Sequence, residues 1–210
     1  MNEHDSRAFR ILVYRLLSDL FAHPPTSDKI SQLAAVTVHQ DVHDDPGLDP
    51  LFALFADLNK DPARAERDLM GAYAFLFLGA GGPQSVPSSQ SAFTDPRGRV
   101  CQEPAAAMAR HLARLGMHVD TTYPEPPDHI AVILAVTAEM IATGARPADQ
   151  TAFIKDHLAA WLPAFQAACA SHDRHGFYAR LAKTTDAFVA ADLQWLMSHP
   201  SRTSQEEENV

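Results

Sequence analysis

A proline-rich segment followed by apolar residues lies in the second half of the chain and reads Glu125-Pro126-Pro127-Asp128-His129-Ile130. The prolines favour an extended backbone, because the pyrrolidine ring fixes φ and removes an N–H donor. Asp128 can then cap the helix that follows, with His129 in the first turn near the positive end of the helix dipole. The sequence therefore predicts a helix from Asp128 to about Thr143 behind a polar hinge.

Apolar residues recur at helical spacing along nearly the whole chain, and no segment keeps the alternating pattern of a half-buried strand. Pro24-Pro25 ends the first helix, because proline clashes with the preceding turn. Asp61-Pro62 starts another, since aspartate caps free N–H groups and proline fits the first helical position. We predict an all-α fold with helices over residues 6–22, after a cap at Thr26 or Ser27, 49–59, 62–78, 102–115, 128–143, 147–170 and 173–198.

Two breaks interrupt this helical pattern. Residues 79–101 are rich in glycine, proline and serine, and so long an irregular stretch in a compact domain is usually functional or disordered. Residues 116–127 form a hinge between an N-terminal part, 6–115, and a C-terminal part, 128–198. The two parts either share one core within residues 1–200 or exchange between chains, which leaves a monomer and a domain-swapped dimer as alternatives.

The composition of the 210-residue chain restricts its partners and its location. A net charge of −9 argues against nucleic acid and suits a basic peptide. The chain begins without the pattern of a secretory leader, and its longest membrane-like run, Ile130 to Val136, is far shorter than the roughly 20 residues that cross a bilayer. We expect a cytoplasmic protein without stable membrane insertion, with reduced thiols at Cys101 and Cys169 and with disorder in residues 1–5 and in the acidic tail 201–210.

The sequence offers little chemistry for an enzyme. Gly79-Ala80-Gly81-Gly82 follows a helix and precedes no lysine, which disfavours a phosphate-binding loop. The 11 histidines form no H-E-x-x-H motif, and the serines of residues 85–91 do not stand in G-x-S-x-G. We therefore expect no catalytic residue, no metal and no cofactor. A hydrolase that uses Asp128 and His129 as an acid–base pair is the enzymatic alternative.

Two features allow both a structural and a binding interpretation. Asp128 and His129 either cap a helix behind the hinge or contact a peptide, with the carboxylate gripping a guanidinium group bidentately. Four aromatic residues are either core or the lining of a peptide groove, and the first three cannot share one narrow helix face. They are Tyr73, Phe75, Phe77 and Phe93.

Five short segments follow one another in a specific order and spacing. They are Tyr14 to Pro25, Tyr73 to Gly79, Pro87 to Phe93, Glu125 to Ile130 and Phe153 to Pro163. Together they resemble the TorD/DmsD family of redox-enzyme maturation chaperones, which is related to the nitrate-reductase chaperone NarJ. The Glu125 segment is similar to the family's E-P-x-D-H hinge signature, and the Tyr73 segment is similar to its E-Y-x-x-L-F-x-G helix end.

The resemblance implies a single helical-bundle domain that performs no chemistry. It implies a chaperone that binds the twin-arginine leader, with the precursor body as a further contact, of a molybdopterin-dependent oxidoreductase during cofactor insertion and before export. Replacing Asp128 by asparagine is then expected to weaken leader binding about 10- to 100-fold and to lower stability by less than about 1 kcal/mol. The implied peptide-binding residues are Tyr73, Phe77, Gly79, Ser91, Phe93, Glu125, Pro127, Asp128 and His129.

Some residues depart from the family pattern. Ala72 stands where the family usually has an acidic residue, Phe75 where a polar one is common, and Gln90 where Glu or Gly is typical. These positions lie in the region implied to bind peptide, so the resemblance does not name the client enzyme. A helical regulator or scaffold that recognises no leader is the non-enzymatic alternative.

Overall fold

Prolines, glycines and side-chain caps set the ends of the helices. The computed structural model describes residues 3–36, 48–118 and 125–199, with the backbone alone for residues 3–5. The all-α prediction is confirmed, since these ranges contain no strand and only one isolated β-bridge, and none of their helices is long and apolar enough to cross a membrane. The α-helices are α1 (Glu3–Ala22), α2 (Ser27–Val36), α3 (Asp49–Leu58), α4 (Pro62–Phe77), α5 (Gln90–Thr94), α6 (Glu103–Arg114), α7 (Ile130–Ala142), α8 (Pro147–Ile154), α9 (Leu162–His172) and α10 (Phe177–Ser198).

Two predicted helix starts are confirmed by their caps. The side chain of Asp61 accepts a hydrogen bond from the N–H of Arg64 over 3.1 Å, and Pro62 occupies the first position of α4. The hydroxyl of Thr26 accepts one from the N–H of Lys29 over 3.3 Å, just before α2. These contacts satisfy N–H groups that have no partner inside their helix.

Loop and tail predictions are corrected in two places. α1 begins at Glu3, so the prediction of disorder is wrong for residues 3–5. The break at residues 79–101 is not irregular throughout, because it contains a 3₁₀ turn over Gly82–Gln84 and the short helix α5. The acidic tail 201–210 and the middle of the hinge lie outside the described residues, so what the sequence indicates for them stays a prediction.

The single helix predicted over residues 147–170 is wrong. It is divided into α8, a π-helical turn over Lys155–Ala159, and α9. Pro163 accounts for the new start, because proline has no N–H to donate to the carbonyl oxygen four residues earlier. The indole N–H of Trp161 donates to the carbonyl oxygen of His157 over 2.7 Å, which satisfies one backbone group at this break.

One hydrophobic core contains residues from both parts of the chain. α1 packs along α7, and α10 packs against α3, α8 and α9. Burying a large apolar side chain stabilises a fold by about 1.5–3 kcal/mol. The largest fully buried side chains include Tyr14, Phe21, Phe55, Trp161, Phe165, Phe177 and Tyr178. The N-terminal and C-terminal parts therefore share one core within this chain, while exchange between chains stays a prediction.

A buried ionic network connects α1 with α10. The guanidinium group of Arg10 donates to Asp192 over 2.5 Å and to Gln150 over 2.8 Å, and the hydroxyl of Tyr14 donates to Asp192 over 2.8 Å. Burial, and then the nearby Asp192 carboxylate, raise the pKa of Tyr14 well above its usual range. Because removal of one partner would leave a buried charge unpaired, the network fixes how these helices pack.

Candidate functional site

The loop that follows α4 is held against the start of α7, next to the hinge, by two backbone hydrogen bonds. The N–H of Gln90 donates to the carbonyl oxygen of Asp128 over 3.0 Å. The N–H of Ile130 donates to the carbonyl oxygen of Ser88 over 2.8 Å. These bonds join the two segments that the resemblance assigns to peptide binding.

The carboxylate of Asp128 reinforces this junction. Asp128 is 0% exposed, and its Oδ2 accepts hydrogen bonds from the N–H and the hydroxyl of Ser91 over 2.7 and 2.5 Å. The Ser91 hydroxyl accepts in turn from the N–H of Gln102 over 3.0 Å. The prediction that Asp128 caps α7 is therefore wrong, because its carboxylate bonds to the loop and the side chain of His129 caps the helix.

His129 is a neutral, buried cap. Its Nδ1 accepts a hydrogen bond from the N–H of Ala131 over 3.2 Å, and the residue is 2% exposed. Burial lowers the pKa of His129 to about 4, because desolvation disfavours the charged imidazolium. The ring is therefore uncharged at neutral pH, as its role as an acceptor requires.

Two polar atoms at the junction are buried without a hydrogen-bond partner in the part of the chain that the structure describes. They are Oδ1 of Asp128 and the hydroxyl oxygen of Ser89. An unsatisfied buried polar group costs about 1–3 kcal/mol. The junction thus satisfies one oxygen of the carboxylate twice and leaves the other one without a donor.

Glu125 brings a negative charge to the end of α4. The residue is half-buried, and burial raises the pKa of its carboxyl group. Burial, and then the charge of Glu125, raise the pKa of the Tyr73 hydroxyl to about 12. Within the described ranges Glu125 forms no ion pair.

Tyr73 and Phe77 belong to an aromatic cluster at the C-terminal end of α4. Tyr73 is 7% exposed, and its hydroxyl donates to the carbonyl oxygens of Phe21 and Ala22 over 3.2 and 3.0 Å. The ring centroids of Tyr73 and Phe77 lie 5.3 Å apart, and those of Phe77 and Tyr178 lie 5.1 Å apart. Tyr73 is therefore a core residue with a satisfied hydroxyl, while Phe77 remains half-buried.

Phe75 lies on a different face of α4, as the sequence predicted for one of the three aromatic residues. Its ring carries the guanidinium group of Arg174, with 4.6 Å from Cζ to the ring centroid. The carbonyl oxygen of Phe75 accepts from the N–H of Gly81 and from the hydroxyl of Ser85, each over 2.9 Å. This side of α4 is thus tied to the start of the loop.

The implied site residues differ in their accessibility. Ser91, Asp128 and His129 are buried; Ser91 bonds to Asp128, and His129 forms an isolated β-bridge with Ser89. Gly79 is exposed, with a left-handed φ of +82° that favours glycine at this helix end. The ring centroids of Phe93 and Phe165 lie 5.9 Å apart, and Phe165 stacks on Phe77 with centroids 6.2 Å apart. Phe93 therefore belongs to the aromatic cluster. The half-buried members are Phe77, Phe93, Glu125 and Pro127.

One contact at the site was not predicted from the sequence. The side-chain amide of Gln90 donates to the carbonyl oxygen of Asp156 over 2.7 Å, and its oxygen lies 3.0 Å from Nδ1 of His157. Burial lowers the pKa of His157, although Asp156 and Asp128 oppose the shift. Asp156 and His157 both lie in the π-helical turn, and no pattern in the sequence indicates that turn.

Comparisons with known proteins find related sequences over most of the chain. The profile of the nitrate reductase delta subunit family matches residues 43–167. A chaperone protein TorD from Shewanella piezotolerans is 34% identical over 202 residues, which cover 90% of this chain and 93% of the relative. The chaperone protein TorD of Shewanella pealeana is 34% identical over 203 residues, covering 90% of each chain. That of Vibrio vulnificus is 28% identical over 204 residues, covering 90% of this chain and 94% of the relative.

Proposed function

Because this chain belongs to the nitrate reductase delta subunit family, with TorD chaperones among its relatives, we propose that it is a molybdoenzyme maturation chaperone. It binds the twin-arginine leader of a molybdopterin-dependent oxidoreductase precursor in the cytoplasm, before export. The observation that carries this proposal is the match to TorD chaperones over 90% of this chain and 93% of the relative from Shewanella piezotolerans. These relatives are chaperones, which indicates a non-enzymatic role.

Glu125 is the residue we propose to meet a leader arginine. Glu125 is half-buried, its charge raises the pKa of the Tyr73 hydroxyl, and it has no ion-pair partner in the described ranges. A guanidinium group would compensate this charge with two parallel hydrogen bonds. The half-buried rings of Phe77 and Phe93 offer apolar surface for the hydrophobic part of the leader. The net charge of −9 favours the approach of a basic peptide.

Ser91, Asp128 and His129 have a different proposed part in binding. All three are buried, so a leader peptide reaches them only if the loop moves away from the hinge. We therefore assign them the task of holding the loop in the conformation that the leader recognises. The free oxygen of Asp128 and the hydroxyl of Ser89 are the groups at which a peptide N–H could add a bond.

The proposal predicts that replacing Glu125 by glutamine weakens binding of a synthetic twin-arginine leader. Loss of one charge-assisted pair corresponds to about 1.5–3 kcal/mol, or roughly 10- to 100-fold in Kd. Calorimetric titration measures this effect. Glu103→Gln is the matched control, because Glu103 is exposed on α6 and pairs with Arg110 over 2.7 Å.

The pH gives a second readout of the same contact. Burial raises the pKa of Glu125, so the carboxyl group takes up a proton at a higher pH than an ordinary glutamate. Leader affinity should therefore fall early as the pH is lowered, and Glu125→Gln should remove this part of the pH dependence. Equal binding of the twin-arginine leader and a twin-lysine version, together with no effect of Glu125→Gln, would contradict the assignment.

The two alternatives make different demands on the molecule. A hydrolase needs Asp128 and His129 to reach a substrate, yet the carboxylate bonds to Ser91 and the imidazole caps α7. No group of three or more His, Cys, Asp or Glu side chains within the described ranges is placed to hold a metal ion. A helical scaffold without leader recognition would leave every leader peptide unbound in the titration.

A further inference from the structure

A cavity of about 330 Å³ lies between α4 and the turn that joins α9 to α10. Phe75 forms one wall, and Phe75 is two residues from both Tyr73 and Phe77, so it lies on the opposite side of the helix from them. We call this cavity the Phe75 pocket. It is lined by Asp68, Ala72, Phe75, Asp173, Arg174 and His175.

The Phe75 pocket already contains a guanidinium group from the same chain. Cζ of Arg174 lies 4.6 Å from the centroid of the Phe75 ring, and Nη2 donates to the side-chain oxygen of Gln84 over 2.6 Å. Arg174 is exposed and forms no ion pair with a carboxylate in the described parts of the chain. A cation above an aromatic ring at an exposed site is held weakly, so another guanidinium group can replace it.

Two carboxylates complete a set of groups that suits arginine. Asp173 is held in place, because its carboxylate accepts hydrogen bonds from the N–H groups of His175 and Ala179, each over 2.9 Å. Asp68 is exposed, and its Oδ2 lies 3.5 Å from Nε of Arg64 in a surface ion pair. Asp68 lies one helical turn before Ala72, on the same face of α4. It therefore supplies a carboxylate near the position where the family usually has an acidic residue and this chain has Ala72.

The Phe75 pocket borders the loop that we propose to bind the leader. The carbonyl oxygen of Phe75 accepts from Gly81 and Ser85 over 2.9 Å, and a Cβ added to Gly81 would lie 2.6 Å from that oxygen. The start of the loop is thus packed tightly on the rim of the pocket. Successive side chains of an extended peptide point in opposite directions, so two adjacent arginines can enter two separate sites.

We propose that the Phe75 pocket recognises one arginine of the client leader and that Arg174 occupies it as an internal stand-in when no leader is bound. The inference rests on the proposed function and extends it. One leader arginine pairs with Glu125, and its neighbour stacks on Phe75 between Asp68 and Asp173, displacing Arg174. Arg174 therefore competes with the leader for the same ring.

Calorimetric titration with a synthetic twin-arginine leader tests the competition. Arg174→Ala should bind the leader about two- to fivefold more tightly than the wild type, because the competitor is gone. Arg67→Ala is the matched control, since it removes one positive charge from an exposed position of α4 and leaves the pocket intact. Phe75→Leu and Asp68→Asn should each weaken binding about two- to tenfold, and thermal melts establish that both variants are folded.

The outcomes separate this inference from the proposed function. If Arg174→Ala and Arg67→Ala bind alike while Glu125→Gln still weakens binding, the leader site stands and the Phe75 pocket is refuted. If neither the wild type nor any variant binds the leader, the proposed function fails. The pocket is then tested with ethylguanidinium as the probe. If the pocket binds guanidinium groups, adding ethylguanidinium should shift the NMR amide signals of Ala72 and His175 in Arg174→Ala. The same addition should leave these signals unchanged in Arg174→Ala/Phe75→Leu. The absence of the shifts in Arg174→Ala would overturn the pocket.

Discussion

Replacing Ser91 by alanine should destabilise the protein strongly although only one oxygen atom is lost. The Ser91 hydroxyl donates to the buried Asp128 carboxylate over 2.5 Å and accepts from the N–H of Gln102 over 3.0 Å. A bond to a charged group contributes about 1.5–3 kcal/mol and a neutral one about 0.5–1.5 kcal/mol. We expect the free energy of unfolding to fall by about 2–4 kcal/mol, or roughly 4–16 °C in Tm for a chain of this size.

Ser89→Ala is the matched control for this prediction. Ser89 is two residues away and 3% exposed, but its hydroxyl has no hydrogen-bond partner in the described part of the chain. Removing it should be neutral or stabilising, because an unsatisfied buried group disappears. Urea unfolding and thermal melts of both variants give the comparison. Equal losses in the two variants, within about 0.5 kcal/mol, would refute the claim that the Ser91 contacts hold the junction.

Three further predictions concern the hinge and the two residues that follow it. His129→Asn should reduce the acid sensitivity of the fold. The pKa of His129 is about 4 in the folded chain against 6.5 in the unfolded chain. Its contribution to the free energy of unfolding is therefore present above pH 6.5 and falls by about 2 kcal/mol between pH 7 and pH 5. Unfolding curves at both pH values test this, and equal pH sensitivity in the two proteins would contradict it. Asp128→Asn should lower stability by about 1–3 kcal/mol in denaturant unfolding, more than the sequence suggested, because the bonds to Ser91 lose their charge, and an unchanged midpoint would rule this out. The hinge at 116–127 should allow slow exchange between monomers and swapped dimers, and a single species in size-exclusion chromatography after refolding at high concentration would count against it.

The helices could be predicted because their signals are local. Asp61-Pro62 and Thr26 provide caps within three residues of the N–H groups that they bond, so sequence alone identifies both helix starts. The same local reasoning failed for Asp128. Its position behind two prolines is typical of a cap, but its bonding partner Ser91 is 37 residues away and becomes a neighbour only in the folded chain.

The division between α8 and α9 could not be read from periodicity. The apolar residues of 147–170 keep helical spacing across the π-helical turn, and Pro163 was the one local indication of a new start. The contact between Gln90 and His157 involves a residue of that turn and was missed with it. The resemblance did select residues that meet in space, since Ser91 contacts Asp128 in the folded chain.

The loop between α4 and α6 is fixed at both ends, which gives the proposed role of buried residues in leader binding a physical basis. At its start the N–H of Val86 donates to the carbonyl oxygen of Leu76 over 2.7 Å, and near its end Ser91 bonds to Asp128. A preorganised loop spares the leader the entropy of ordering it. When only a fraction of molecules has the loop docked, the apparent Kd rises in inverse proportion to that fraction. Ser91→Ala should therefore weaken leader binding through the loop, whereas Glu125→Gln weakens it through the contact itself, and only Ser91→Ala should also lower the stability of the fold.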